Sequence, residues 1–203
     1  MQKINPNDLT ERENYKFLIG SIVPRPIAFV TSTNEEGVVN GAPFSFFNIV
    51  SSNPPLISVS VQRKQGKMKD TARNIAANGE FVVHVVSEEF VAQINETAAN
   101  LPPEESEIDR AGLTLVDSTE VRVPGVKEAK VRFECTLEQH IPLGGDETSA
   151  GCDLLIGRVR AYHIDEAIYQ DGYIDLQGLG AMSRLAGNDY ASIGKITTIE
   201  RPL

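Results

Sequence analysis

The chain has 203 residues and a formal net charge of −9, with 19 basic against 28 acidic side chains. Hydrophobic residues make up 41% and charged residues 23%, the balance of a globular protein with a core rather than of a disordered chain. The acidic excess argues against nucleic-acid binding, which needs a broad basic face, and a single domain over residues 1–203 accommodates this length.

The longest uncharged run, Gly37 to Gln62, has the length of a membrane span, but Pro43, Pro54, Pro55 and several Ser and Asn residues break it. No membrane partner is expected. The opening MQKINPNDLTEREN has no apolar signal region, so a cytoplasmic location is expected. Cys135 and Cys152 are the only cysteines. They stand in no paired metal spacing and suit a reducing compartment, and Cys135, in the alternating run VRFECTL, reads as a buried inert thiol.

In chain order, Asp8 to Ile19 suits a short opening helix. IVPRPIAFVTST, from Ile22, enters a first strand after two prolines that fit an edge or entry position. Glu35, Glu36 and Gly37 form a hairpin-like turn, and the chain returns through VVNGAPFSFFNIV. Pro54 and Pro55 force a further turn into a third strand, LISVSV. Arg63, Lys64, Lys67 and Lys69 follow. Asp70 and Thr71, residue types that open helices, then lead into TARNIAAN, with Gly79 as the stop.

EFVVHVV is a fourth strand, with Phe81, Val83 and Val85 on one face and Val82, His84 and Val86 on the other. His84 is its one polar oddity. EEFVAQINETAA reads as an amphipathic helix and NLPPEESE as a surface loop. LTLV adds a short strand, and AKVRFECTLEQHI and CDLLIGRVRAYHI are two long ones joined by the Gly-rich turn PLGGDETSAG. SRLAGNDYASIG has no clear period, and ITTIERPL reads as a closing extended segment. About six or seven strands with two or three helices, joined mostly as hairpins, suggest a mainly β fold with helical additions, closed into an antiparallel barrel without free edges.

A helix start exposes unpaired amides and the positive end of the macrodipole, so the corner at Asp70, with Arg63 and Lys69 beside it, suits a phosphate. The same residues also suit an ordinary solvated loop. Gly66 and Lys67 do not form a phosphate loop, because Val61 and Met68 stand where glycine and Ser or Thr are needed. GLGAMS fails the dinucleotide fingerprint at Ser183. His84, His140 and His163 lie far apart with no adjacent carboxylate pattern, so no metal site is expected and no side chain is marked as nucleophile or base. A phosphate corner, a polar-lined strand carrying Ser45 and Asn48, and no evident acid or base suggest that a cofactor carries the chemistry.

The segments PRPIAFVTS, GAPFSFFN with SSNPPLISVSV, KDTARNI, EFVVHVV, SRLAGNDYA and the closing RP occur in an order that resembles the flavin reductase-like, FMN-binding split-barrel family. That family includes flavoredoxins and the reductase component of nitrilotriacetate monooxygenase. The resemblance runs from Ile22 to Pro202. It implies a homodimer of split barrels holding FMN, with the flavin ring near Ser45, Phe46, Phe47 and Asn48. It further implies that Arg63, Lys69 and Thr71 meet the phosphate and that Arg184 and Tyr190 border the cofactor. Hydride arrives at the flavin N5 from NADH or NADPH bound transiently, so no catalytic acid or base is implied. The implied activity is an NAD(P)H-dependent flavin reductase, which could supply a monooxygenase or another redox protein. A flavoredoxin-like FMN electron carrier and a non-catalytic FMN-binding protein are the alternatives. At position 84 the family pattern has Asn where this chain has His84.

Overall fold

The opening helix, α1 (Glu11–Ser21), starts after Thr10 rather than at Asp8 because Thr10 caps it. The Thr10 hydroxyl accepts from the Glu13 amide and the Glu13 carboxylate accepts from the Thr10 amide, a capping box. The structure, a computed structural model, describes residues 1–98, 106–145 and 150–202. Most of the expected loop NLPPEESE and the middle of the turn PLGGDETSAG lie outside the described residues.

The strands are β1 (Arg25–Pro26), β2 (Ala28–Thr33), β3 (Val39–Phe44), β4 (Phe47–Ser52), β5 (Pro55–Gln62), β6 (Glu80–Val85), β7 (Leu115–Val116) and β8 (Gly125–Val126). They continue through the long hairpin of β9 (Val131–Leu143) and β10 (Cys152–Ile164). Two short hairpins follow, β11 (Tyr169–Gln170) with β12 (Tyr173–Ile174), and β13 (Ser183–Arg184) with β14 (Tyr190–Ala191). Helices α2 (Asp70–Asn78), α3 (Val91–Glu96), α4 (Glu107–Ala111) and α5 (Leu176–Leu179) occupy the connections.

Seven strands form one antiparallel sheet in the order β3-β2-β6-β9-β10-β5-β4. The chain is mainly β with helical additions, and closure of the sheet into the expected barrel is not shown. Among the described residues the hydrogen-bonded ladder stops at β3 on one side and β4 on the other. These two edges are consecutive in sequence and separated only by Ser45 and Phe46. An extended residue spans at most about 3.6 Å, so the sheet curls until its edges nearly meet. The Phe46 carbonyl, in that link, accepts from the Ser60 amide at 2.8 Å.

Curling gathers Ala28, Val30, Val61, Phe81, Val83 and Leu155 into one apolar cluster, against which α2 packs Ala72 and Ile75. Strand alternation sends Ile27 and Phe29 to the opposite face, where Phe90, Ile94, Ile108 and Val126 cover them. A Cβ at Gly157 would strike the Phe81 ring, and the β9–β10 register shifts at this point. The glycine therefore admits a buried aromatic where the sheet bends. Cys135 is fully buried, and burial pushes its thiol pKa up.

His84 is also fully buried. Its Nδ1 lies 2.9 Å from the Phe29 carbonyl and its Nε2 lies 2.9 Å from the Val126 amide. The amide can only donate, so Nε2 accepts and Nδ1–H donates to Phe29. The imidazole thus fastens β8 to the sheet as a neutral ring. Burial lowers its pKa to about 3, with the Arg132 charge assisting and the Phe29 bond opposing.

An unfolded histidine takes up its proton near pH 6.5. Between that value and about 3 the unfolded chain binds a proton that the folded chain refuses, so this contribution to stability is lost as pH falls below about 6.5. From pH 7 to pH 5 the wild type is expected to lose about 2 kcal/mol more than His84→Gln. Urea denaturation at the two pH values reads this, and equal losses would contradict the neutral, buried imidazole.

Candidate functional site

Two adjoining cavities open along β3. One, of about 350 Å³, is lined by Lys64, Lys67, Lys69, Thr71, Asn40 and Glu107 among others. The second, of about 200 Å³, is lined by Ile27, Ser45, Ile94, Asn95, Arg184 and Tyr190. Pro43, Phe44 and Ala98 border both. The two cavities are therefore halves of one cleft, lysine-rich at one end and walled by aromatic and polar groups at the other.

At the lysine end α2 begins without a side-chain cap, Lys69 being the N-cap residue. Asp70 and Thr71, expected at the helix start, lie in its first turn. Asp70 pairs with Arg73, which offsets its charge. The buried Thr71 donates its hydroxyl to Asn40 Oδ1 at 2.8 Å. Among the described residues the first-turn amides have no side-chain acceptor. Loss of solvation holds the Lys69 ammonium below the ordinary lysine range and Lys64 adds repulsion, although much of the residue faces solvent. An uncapped helix start ringed by lysines suits an anion.

Arg63 is not brought to this cleft. Its guanidinium forms bonds of 2.9 and 2.7 Å to Asp153, a fully buried carboxylate that also holds His140 Nε2 at 2.8 Å. Burial would raise the Asp153 pKa, but the bonds from Arg63 and His140 outweigh it and keep the group below the usual carboxylate range. Arg63 borders a separate cavity of about 680 Å³ beside Gly144, Gly145 and Gly151.

Of the four residues expected near a ring, Ser45 lines the cleft. Phe47 packs on the core, Phe46 lends its carbonyl to β5, and the exposed Asn48 accepts the Ile49 amide on its Oδ1 at 2.8 Å. The β13–β14 hairpin, drawn from the segment with no sequence period, carries Arg184 and Tyr190 to the cleft. The Arg184 guanidinium lies 4.4 Å from the centre of the Tyr190 ring, and the Tyr190 hydroxyl donates to Asn95 Oδ1 at 3.0 Å.

Glu107 is a cleft residue that the sequence reading did not single out. It is buried and accepts from Asn40 Nδ2 at 3.0 Å and from the Gly41 amide at 3.3 Å. Burial raises its pKa despite those bonds. Asn40 and Glu107 are 67 residues apart, so no local spacing links them. Among the described residues no group of three His, Cys, Asp or Glu could hold a metal, and no helix is long and apolar enough to cross a membrane.

A family model described as a flavin reductase like domain matches residues 19–178. The chain belongs to the flavin reductase-like family. It is 54% identical over 198 residues to the uncharacterized protein YwrF of Bacillus subtilis (strain 168), covering 97% of each. It is similar to the crystal structure of nitrilotriacetate monooxygenase component B from Bacillus cereus, with 61% identity, a TM-score of 0.97 and 98% of each chain covered. Similarity extends to the Pseudomonas fluorescens 2-nitrobenzoate 2-nitroreductase NbaA, with 28% identity and a TM-score of 0.89 over 99% of this chain and 96% of that one. In this flavin reductase-like chain, GAPFSFFN, KDTARNI and SRLAGNDYA, far apart in sequence, all supply residues to one cleft.

Proposed function

We propose that this chain is an FMN-dependent oxidoreductase, an NAD(P)H:flavin reductase that binds FMN with its phosphate at the start of α2 and its ring at Ser45 and Arg184. The observation that carries this reading is the continuity of one cleft from an uncapped, lysine-lined helix start to an aromatic and polar end. FMN has the same asymmetry, a doubly charged phosphate at one end and a flat ring with polar edges at the other. Lys69 and the first-turn amides would hold the phosphate. Thr71 takes part through its amide, since its hydroxyl is committed to Asn40. Arg63, tied to Asp153, stands outside this set.

Bound FMN supplies hydride chemistry at its N5, and NADH or NADPH is the donor in this reading. The residues of the chain bind, orient and shield the ring, with Phe44 as a wall shared by both halves of the cleft. The curled sheet, open at the β3–β4 seam, is read as a split barrel. Ile49 is 77% exposed and Val50 half exposed on β4, the edge strand that follows Ser45. A second copy covering that face gives a homodimer and brings Phe46, Phe47 and Asn48 toward the partner's flavin. Reduced flavin would pass to a monooxygenase or another redox protein, in keeping with the similarity to a monooxygenase component B. The two free cysteines suit a cytoplasmic setting.

Stopped-flow mixing of the FMN-loaded protein with NADH or NADPH should bleach the flavin rapidly with at least one of the two. Bleaching by neither, with reduction by a protein donor, would make the chain a flavoredoxin-like carrier, and failure to bind FMN would sink the reading altogether. Light scattering should give the mass of a dimer, and a monomer mass across a wide concentration range would remove the proposed interface.

A further inference from the structure

The β1–β13 ladder sets two arginines opposite each other. Arg25 and Arg184 are Cα partners, and like charges directly opposite on a sheet repel. Arg25 is 6% exposed. Its guanidinium donates to the carbonyls of Ile19 at 2.7 Å, Ile22 at 2.6 Å and Leu185 at 2.8 Å, and its Nε lies 3.4 Å from Ser45 Oγ. Arg184 donates to the Gly187 carbonyl at 2.6 Å. Among the described residues neither arginine has a carboxylate partner.

Carbonyl oxygens satisfy the donors without cancelling the charge. Burial pulls the Arg25 pKa below its ordinary value, the Tyr15 phenol opposes this, and Arg184 adds to the fall. A chain with 28 acidic residues has carboxylates in excess, yet among the described residues none pairs with either arginine. Arg184 and Ser45 line the ring end of the cleft and Arg25 stands directly behind Ser45. Two uncompensated cations at one wall of a cleft are held at a cost unless negative charge comes to them.

We infer that Arg25, together with Arg184, stabilises the negative charge that the flavin ring carries once it is reduced, and so sets the reduction potential of bound FMN. The inference rests on the flavin reductase reading and names Arg25 as a positioning residue for it. In the step concerned, a hydride leaves C4 of a reduced nicotinamide for N5 of the flavin. A C–H bond breaks, an N–H bond forms, and the nicotinamide becomes a pyridinium cation. The flavin ring gains two electrons and one proton, and with them a net negative charge spread over N1 and the C2 carbonyl. A fixed cation nearby favours that product. Ser45, accepting from Arg25, keeps its own O–H free to donate into the cleft.

The test is the two-electron reduction potential of bound FMN, measured by spectroelectrochemistry in the wild type and in Arg25→Gln, Arg25→Lys and Arg184→Gln, with circular dichroism as the check on folding. Arg25→Gln should lose roughly tenfold in preference for the reduced over the oxidised ring, a drop of about 30 mV. Arg184→Gln should move the same way, whereas Arg25→Lys, which keeps the charge, should stay close to the wild type. An unchanged potential in Arg25→Gln with FMN still bound overturns the inference and leaves the flavin reading standing. Equal drops for the Gln and Lys variants also overturn it, since geometry rather than charge would then be responsible. Should Arg25→Gln fail to fold through loss of its three carbonyl bonds, Arg184→Gln decides alone, and no drop there overturns the inference. A wild type that holds no FMN removes both readings together.

Discussion

Ser45 and Phe46 alone carry the chain from one edge of the seven-stranded sheet to the other, and a span so short leaves the sheet no option but to curl. The apolar cluster around Phe81, Val83 and Leu155 follows from that curl, because side chains from strands distant in the sheet then converge. The cleft follows too. It runs along β3, the edge beside the link, and Ser45 is both part of the link and a wall of the cleft. β4, on the other side of the seam, is left with exposed apolar residues at Ile49 and Val50.

Within an acidic chain, positive charge is placed in two ways. Arg63 is neutralised by a buried carboxylate and serves the fold, joining the end of β5 to β10. A buried pair of this kind is costly to break by removing one partner. Lys69 at the start of α2 and the Arg25–Arg184 pair lie toward opposite ends of the cleft, and among the described residues none of the three has a carboxylate partner. Arg63 and Lys69 are close neighbours in sequence with different fates, because Asp153 reaches only the first.

Much of this was legible in the sequence. The alternation in EFVVHVV, the helix ending at Gly79 and the two long strands of the β9–β10 hairpin are all present. The break of VVNGAPFSFFNIV into two strands was not legible, because no glycine, proline or charge marks Ser45 and Phe46, and the break follows from the curl of the sheet rather than local preference. EEFVAQINETAA shrinks to the short α3, and SRLAGNDYASIG yields a hairpin whose few residues are too short to show a period. In the cleft, Lys69, Thr71, Ser45, Arg184 and Tyr190 were each suspected, whereas Glu107 and Arg25 were not. Both act through partners remote in sequence, Asn40 for one and Leu185 for the other.

The central claim is that the start of α2 holds the phosphate of FMN while the ring lies at the other end of the cleft. Calorimetric titration of wild type and Lys69→Ala with FMN and with riboflavin, which lacks the phosphate, tests it most directly. A charge-assisted hydrogen bond contributes about 1.5–3 kcal/mol, so FMN should bind the variant roughly ten- to a hundredfold more weakly, while riboflavin binding stays nearly unchanged. Equal losses for both ligands, or no loss for either, would contradict the assignment of this helix start to the phosphate.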